Sequence, residues 1–294
     1  MIGVERRRLD HVVMPVPHLE TARASLASLG FTVAPDAVHP FGTENACIFF
    51  SDGTYIEPLG IAEREVCEVQ AIAGNVFVAH DQAYRFRRGV PGFEGLAFAS
   101  DDALADRGRF ERAGIADGEI LEFRRLARSP DGSEAELGFR LAFARDRRAP
   151  DLSLFACEPI HRFKPDRSAL TGHPNGTTGI RRVVMSEPNP TDFQYLLQEV
   201  VGERSILADG FGFSIETGNV TIEVASPDAL GLRYGAARDG ERGLRIEGLV
   251  LGTRDLSAVE DHCRRAGAPA TRLGERLVVR LGSASGAFLA FERV

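Results

Sequence analysis

One pattern is written four times along this chain, and it limits the fold more than any other feature. Each copy has a short strand-like run, a polar turn, an amphipathic helix and a glycine at the exit. "LDHVVMPV" from Leu9 leads into "HLETARASLASLGF", and "EGLAFAS" from Glu94 into "DDALADRGRFERAGI". "IRRVVMSEP" from Ile180 leads into "NPTDFQYLLQEVVG", and "IEGLVLGT" from Ile246 into "RDLSAVEDHCRRAGA". Apolar residues recur at helical spacing: Leu19, Ala22, Leu26 and Leu29 in the first copy, Leu256, Val259 and Cys263 in the fourth. Gly30, Gly114, Gly202 and Gly267 stand where a helix C-cap needs positive φ. Asp101 and Asp102 lie at a helix start; Asn189 or Thr191 is placed to cap the third helix and Thr253 the fourth.

Runs of strand character follow each helix: "ACIFFSDGTYIEPLG", "FRLAFA" with "LSLFACEPI", "GFSIETGNVTIEVAS", and "RLVVRLGSASGAFLAFERV". Ser51-Asp52-Gly53 and Thr217-Gly218-Asn219 sit between alternating runs and read as hairpin turns. Each unit is therefore βαβββ, and the fold class is α+β with four such modules in two pairs. Repeats this long, with variable insertions, suit paired modules rather than a solenoid. The stretch 162–179 has little periodicity and much Pro, Gly, Ser and Thr. It separates an N-terminal domain (1–164, modules one and two) from a C-terminal domain (180–294, modules three and four), with 165–179 as linker.

The length, 294 residues, suits two domains, and 44% apolar residues suffice for a sizeable core. The net charge of −7 argues against nucleic-acid and anionic-membrane partners, which need clustered Lys and Arg. The short basic runs Arg6-Arg7-Arg8 and Arg145 to Arg148 read as solvated surface. Cys47, Cys67, Cys157 and Cys263 form no C-x-x-C pair, and no apolar leader or long apolar span is present. A cytoplasmic setting with free thiols is expected. Nucleophile-elbow, phosphate-loop and dinucleotide-binding signatures are all missing.

The modules, together with specific residues, resemble a glyoxalase-like domain family of bacterial proteins in the vicinal oxygen chelate superfamily. That superfamily also contains glyoxalase I, extradiol dioxygenases and fosfomycin-resistance proteins. The residues that carry the likeness are Leu9-Asp10-His11-Val12-Val13, Leu29-Gly30-Phe31, His39-Pro40 with Gly42-Thr43 and Asn45, and Gly53-Thr54-Tyr55-Ile56-Glu57. Glu94-Gly95-Leu96-Ala97, Phe123-Arg124, Phe155 with Cys157, and His173-Pro174-Asn175-Gly176 continue it. The resemblance implies that each module pair curls into an open mixed-sheet half-barrel around a cup, and that metal ligands come from first and last strands. His11 then matches the first-strand ligand, Glu57 the last-strand ligand of module one, and Glu158 the last-strand position of module two. Gly95 holds module two's first-strand position and cannot ligate. Members of the superfamily often dimerise, so a homodimer is among the expectations.

One imidazole and two carboxylates suit Fe, Mn, Zn or Ni with open coordination positions. A carboxylate ligand such as Glu57 can double as general base. The bland alternative is that His11 is a hydrogen-bonded core histidine, Glu57 a strand-end carboxylate and Glu158 a solvated one. The stretch His39 to Asn45 reads as a substrate-orienting loop: Gly42 permits close approach, Thr43 and Asn45 offer hydrogen bonds, and His39 is a candidate acid or base. A capped turn is the competing reading. Arg124 is a candidate for an anionic oxygen, or a surface arginine. His173 to Gly176 reads as a linker turn.

The C-terminal half places Arg182 and Gly248 where His11 and Gly95 stand. It keeps Glu223 and Glu292, and Arg182 and Glu223 are placed to pair where a metal would otherwise lie. His262 falls on a helix and is expected to be exposed. This half reads as structural or as a dimerisation surface. Two functions follow: metal-assisted isomerase, lyase or dioxygenase chemistry on a small molecule in the N-terminal cup, or metal-free binding of a small ligand there. A third reading has the cups filled by side chains.

Overall fold

The structure, a computed structural model, describes residues 6–89, 92–128, 134–160, 166–281 and 287–294. Residues 161–164 at the end of the expected N-terminal domain, and 165 at the start of the expected linker, lie outside the described residues. The first module is β1 (Leu9–Pro15), α1 (Leu19–Ser28), the short strands β2 (Ala37–Val38), β3 (Thr43–Asn45) and β4 (Ile48–Phe49), then β5 (Tyr55–Ile61). Two helices follow it, α2 (Arg64–Ile72) and α3 (Val76–Arg88). The second module is β6 (Gly95–Ala99), α4 (Ala103–Arg112), β7 (Ala116–Arg128), β8 (Glu134–Ala144) and β9 (Ser153–Pro159). The third is β10 (Thr177–Ser186), α5 (Gln194–Val201), β11 (Leu207–Asp209), β12 (Gly212–Glu216) and β13 (Thr221–Ala225), followed by α6 (Pro227–Tyr234). The fourth is β14 (Arg245–Thr253), α7 (Leu256–Ala266), β15 (Ala270–Leu273), β16 (Arg276–Arg280) and β17 (Phe288–Arg293).

Each half forms one mixed sheet, and the two sheets repeat one topology. The orders are β2-β3-β5-β1-β6-β9-β8-β7 and β11-β12-β13-β10-β14-β17-β16-β15, with β4 pairing β5. In each, the first strand of a module runs parallel to its last strand, and the two first strands pair antiparallel at the centre. The four-module α+β reading of the sequence is what the chain adopts.

Strand periodicity divides the side chains between two layers. Val12, Met14, Leu154, Ala156, Val183, Met185, Leu289 and Phe291 join one continuous core that also takes Leu26 of α1, Phe110 of α4, Val200 of α5 and Val259 of α7. The helices of both halves thus share a single core. The alternate residues face the concave sides. Val13, Phe155 and Cys157 join Phe41, Phe77 and Val78 in the N-terminal cup, and Val184, Phe288 and Ala290 join Leu230 and Tyr234 in the C-terminal one.

The capping glycines behave as the pattern predicts, with φ of 84° at Gly30, 71° at Gly114, 77° at Gly202 and 64° at Gly267. Both hairpin turns form, joining β4 to β5 and β12 to β13. Asp102 caps α4 through Ala105 N. The fourth helix is capped by Asp255, which accepts from Ser257 N and Ala258 N, whereas Thr253 accepts only from Asp255 N. Asn189 bonds Asp192 through its side chain rather than an orphan backbone N–H.

Two sequence expectations are corrected by packing. Arg7 is buried rather than solvated, paired with Asp106 at 2.7 Å and bonded to the Val200 carbonyl across the halves. His262 is half-buried against Gly30, where an added Cβ would lie 2.8 Å from the imidazole. The α2–α3 segment, which lies between modules one and two, adds Phe77 and Val78 to the apolar cluster of the N-terminal cup. The four cysteines are buried and free. Among the described residues, no helix is long and apolar enough to cross a membrane.

Candidate functional site

The parallel pairing of β1 with β5 sets His11 opposite Tyr55 and Val13 opposite Glu57. His11 and Glu57 therefore point into the same cup from adjacent strands, 5% and 6% exposed. His11 Nε2 lies 3.3 Å from Glu57 Oε2, and His11 Nδ1 is 2.8 Å from Asp10 Oδ2. Tyr55 stacks on the His11 ring at 4.4 Å, and Phe155 meets it edge-on at 5.8 Å.

The turn His39 to Thr43 delivers a second imidazole. His39 N donates to Thr43 O and Gly42 N to His39 O, a tight reversal that holds Gly42 at φ 91°. A Cβ on Gly42 would stand 2.6 Å from the Glu63 carbonyl and 2.9 Å from Cys67 Sγ. Gly42 thus packs beneath α2 rather than facing a ligand. The Thr43 hydroxyl pairs with His39 Nδ1 at 2.9 Å. Asn45 Nδ2 donates to Glu57 Oε1 at 2.6 Å and lies 3.3 Å from His39 Nε2. That arrangement places the His39 proton on Nδ1 and leaves Nε2 as an acceptor, 3.8 Å from Glu57 Oε1. Phe41 stacks on the His39 ring at 4.9 Å, with Phe77 and Phe123 edge-on.

The two histidines are driven apart in charge. Burial would lower the His11 pKa, but its hydrogen bonds to the Asp10 and Glu57 carboxylates outweigh this and hold it at about 9. Burial would raise Glu57, but the His11 hydrogen bond and charge bring it down to about 2, with Asn45 adding. His39 has no such compensation: burial, aided by the Arg125 and His11 charges, lowers it to about 4 against the pull of Glu57. One carboxylate therefore sits between an imidazolium and a neutral imidazole. Burial also raises the Cys47 and Cys157 thiols, which stay protonated and unreactive.

Around these groups lies an inner cavity of about 50 Å³, walled by Phe41, Phe49, Phe77, Phe123, Phe139 and Phe155. It opens into an outer cleft of about 690 Å³, and the two share His39, Asn45, Cys47, Phe49, Arg125 and Arg167.

The structure brings His11, Glu57, His39 and Asn45 together, with Thr43 behind His39. It does not bring Glu158 to them. In β9 the residue matching Glu57 is Phe155, because Gly95 pairs with Ser153 as His11 pairs with Tyr55. Glu158 has the opposite parity to Phe155 and Cys157, and its carboxylate accepts from Ala103 N at the start of α4 and meets Arg140 at 3.4 Å. Arg124 is likewise on the other face of its strand, paired with Glu136 at 3.0 Å and touching only the outer cleft. Its neighbour Arg125 points inward with Phe123. Alternation from Phe123 was the available signal. Arg167 had none, since it arrives from the segment before β10. There His173 anchors the chain by accepting from Thr32 N and donating to the Phe49 carbonyl.

The C-terminal half shows the same register with different contents. Arg182 pairs opposite Thr221 and Val184 opposite Glu223, and the Arg182 guanidinium lies 3.2 Å from Glu223. Tyr234 of α6 donates to Glu223 at 2.7 Å and stacks on Phe288, whose ring lies over Gly248. Arg182 and Glu223 also line a cavity of about 260 Å³, together with Leu207, Phe213, Ser214 and Arg233.

Residues 9–201, more than half of the chain, match the sequence family described as glyoxalase-like domain. The chain belongs to the glyoxalase-like domain family. No curated protein matches its sequence. Among solved structures, this glyoxalase-like chain is similar to a hypothetical protein from Staphylococcus aureus (TM-score 0.67, 12% identity, 98% of this chain and 100% of that one). It is also similar to a variant of 4-hydroxymandelate synthase from Streptomyces coelicolor (TM-score 0.57, 14% identity, 99% and 93%). A third is the Mn(II)-bound glyoxalase from Novosphingobium aromaticivorans (TM-score 0.54, 10% identity, 99% and 83%). At these identities the likeness is one of fold.

The resemblance read from the sequence raises the question of a divalent metal, and the donor types in the glyoxalase-like cup suit one. His11 and His39 turn Nε2 toward a shared carboxylate, while each Nδ1 is held by a further partner, as in metal-binding histidines. The side chains lie against one another, however, and among the described residues no three His, Cys, Asp or Glu form a ready-made metal cage.

Proposed function

We propose that the N-terminal cup binds a small molecule and moves a proton within it, as an isomerase or lyase does. The carrying observation is the pair of imidazoles flanking Glu57 with pKa values near 9 and near 4. Opposed titration of neighbouring groups is how one site supplies an acid and a base at one pH. His39, neutral with Nε2 unprotonated, accepts the proton. His11, charged and held by Asp10, donates one. Glu57 stabilises the positive charge as it passes between them. The aromatic walls exclude water and strengthen these interactions.

A divalent cation (Fe, Mn, Zn or Ni), where bound, would be held by His11 and Glu57, with His11 giving up its proton; the cation would then take over the acid role by polarising a substrate oxygen, and His39 would stay the base. The fold likeness to a Mn(II)-bound glyoxalase supports this part of the reading. Glu158 and Arg124 have no role in it. A second reading, metal-free binding, is favoured by one observation: the His11–Glu57 pair repeats the Arg182–Glu223 pair at equivalent register, with a cation already in place.

The test is solvent-deuterium exchange, followed by proton NMR, on a panel of 2-oxo and 2-hydroxy carbonyl compounds with protein whose metal content has been measured. Exchange at a carbon, lost in His39→Asn with unchanged melting, is the expected result. Binding without exchange for every compound would leave the second reading in its place.

A further inference from the structure

Two arginines stand at the junction of the inner cavity and the outer cleft, Arg125 from β7 and Arg167 from the segment before β10. Other arginines nearby have carboxylate partners: Arg124 has Glu136, Arg140 has Glu122 and Arg145 has Asp117. These two are held differently. The Arg125 guanidinium lies 5.9 Å from the Phe139 ring centre, and its Nε is buried without a hydrogen-bond partner. The Arg167 guanidinium lies 4.0 Å over Phe49 and 5.7 Å from Tyr55. A guanidinium stacked on a ring keeps its N–H edges free, and those edges match a carboxylate in fork geometry. Among the described residues, none of the three acids of the outer cleft pairs with either arginine: Asp36 pairs with Arg23, Asp166 accepts from Ser168 N, and Glu63 forms no ion pair with Arg125 or Arg167.

We infer that the ligand of this cup is a carboxylate with a flat apolar body, bound with its carboxylate between Arg125 and Arg167. The inference rests on the reading that the N-terminal cup is the functional site. Its orientation follows from charge and size. At the floor the Glu57 carboxylate already takes His11 and Asn45 as partners, whereas the arginines attract an anion at the junction. The floor cavity, about 50 Å³, takes only a small polar end, while the cleft of about 690 Å³ takes the body. In that cleft Phe49, Val66, Leu137 and Leu170 supply apolar faces for a ring.

The experiment is calorimetric binding of phenylacetate and of its neutral isostere phenylacetamide to wild-type protein, Arg125→Gln, Arg167→Gln and Glu57→Gln. Phenylacetate is expected to bind the wild type roughly tenfold or more tightly than the amide, and each arginine variant is expected to weaken it by a similar factor. The arginine variants should melt with the wild type, since among the described residues neither has an acid partner to lose. Glu57→Gln should bind phenylacetate at least as tightly, because a like charge is removed. Equal affinity for acid and amide, no effect of the arginine variants, or no binding of phenylacetate would each overturn the inference. Phenylacetate binding without deuterium exchange on any compound would instead sink the proton-transfer reading and leave this one standing.

Discussion

Arg182 occupies in the C-terminal sheet the register position that His11 occupies in the N-terminal sheet, and each faces a glutamate, Glu223 or Glu57. Removing one member of a buried pair leaves the other charge stranded, at a cost of about 3 kcal/mol or more. His11→Ala should therefore destabilise the protein by about that amount in urea unfolding. His11→Arg should restore much of the loss by copying the C-terminal pair. Both variants should lose catalysed deuterium exchange. Unchanged stability in His11→Ala would mean that Glu57 does not depend on His11.

The same pair makes stability depend on pH in metal-free protein. The folded His11 pKa is raised from 6.5 to about 9, so its contribution is complete below pH 6.5 and lost as pH rises through about 9. The folded Glu57 pKa is depressed from 4.5 to about 2, so its contribution is complete above pH 4.5 and lost as pH falls through about 2. Urea midpoints should decline on the alkaline side in wild-type protein and stay flat there in His11→Gln. Nitrogen NMR of the imidazoles should show His39 neutral, with its proton on Nδ1, throughout the range above its own pKa of about 4.

Glu158 and Glu57 should separate cleanly in metal-binding measurements. Glu158→Gln loses a contact to the start of α4 and to Arg140, worth about 1 kcal/mol, and should bind added Mn or Zn as the wild type does. Glu57→Gln should bind them far more weakly. Equal loss in both variants would place Glu158 at the metal after all.

Gly42→Ala should cost about 1–3 kcal/mol or more in thermal or urea unfolding, because φ is 91° and the new methyl would meet the Glu63 carbonyl at 2.6 Å. The shift in the turn should also disturb His39, read as a change in its imidazole nitrogen signals. A neutral substitution would show that the turn has room to relax.

Much of this architecture is written locally, and so the sequence by itself determined it. Helix periodicity, the glycines at 30, 114, 202 and 267, and the two hairpin turns act over a few residues, which is why four βαβββ modules were legible. His11, His39 and Asn45 were legible as site candidates because each lies in a run whose composition is odd for a core, and Glu57 because the resemblance implies a ligand at its strand position. What lay beyond reach depends on which face of a strand a residue takes and what packs across from it. A shift of one residue reverses the face, so Arg125 rather than Arg124 enters the cup, and Phe155 rather than Glu158 matches Glu57. Arg167 and Phe77 reach the cup from distant segments, and α6 delivers Tyr234 to its C-terminal counterpart. Those meetings are long-range, set by how the sheets curl and what covers them, and only the tertiary structure decided them.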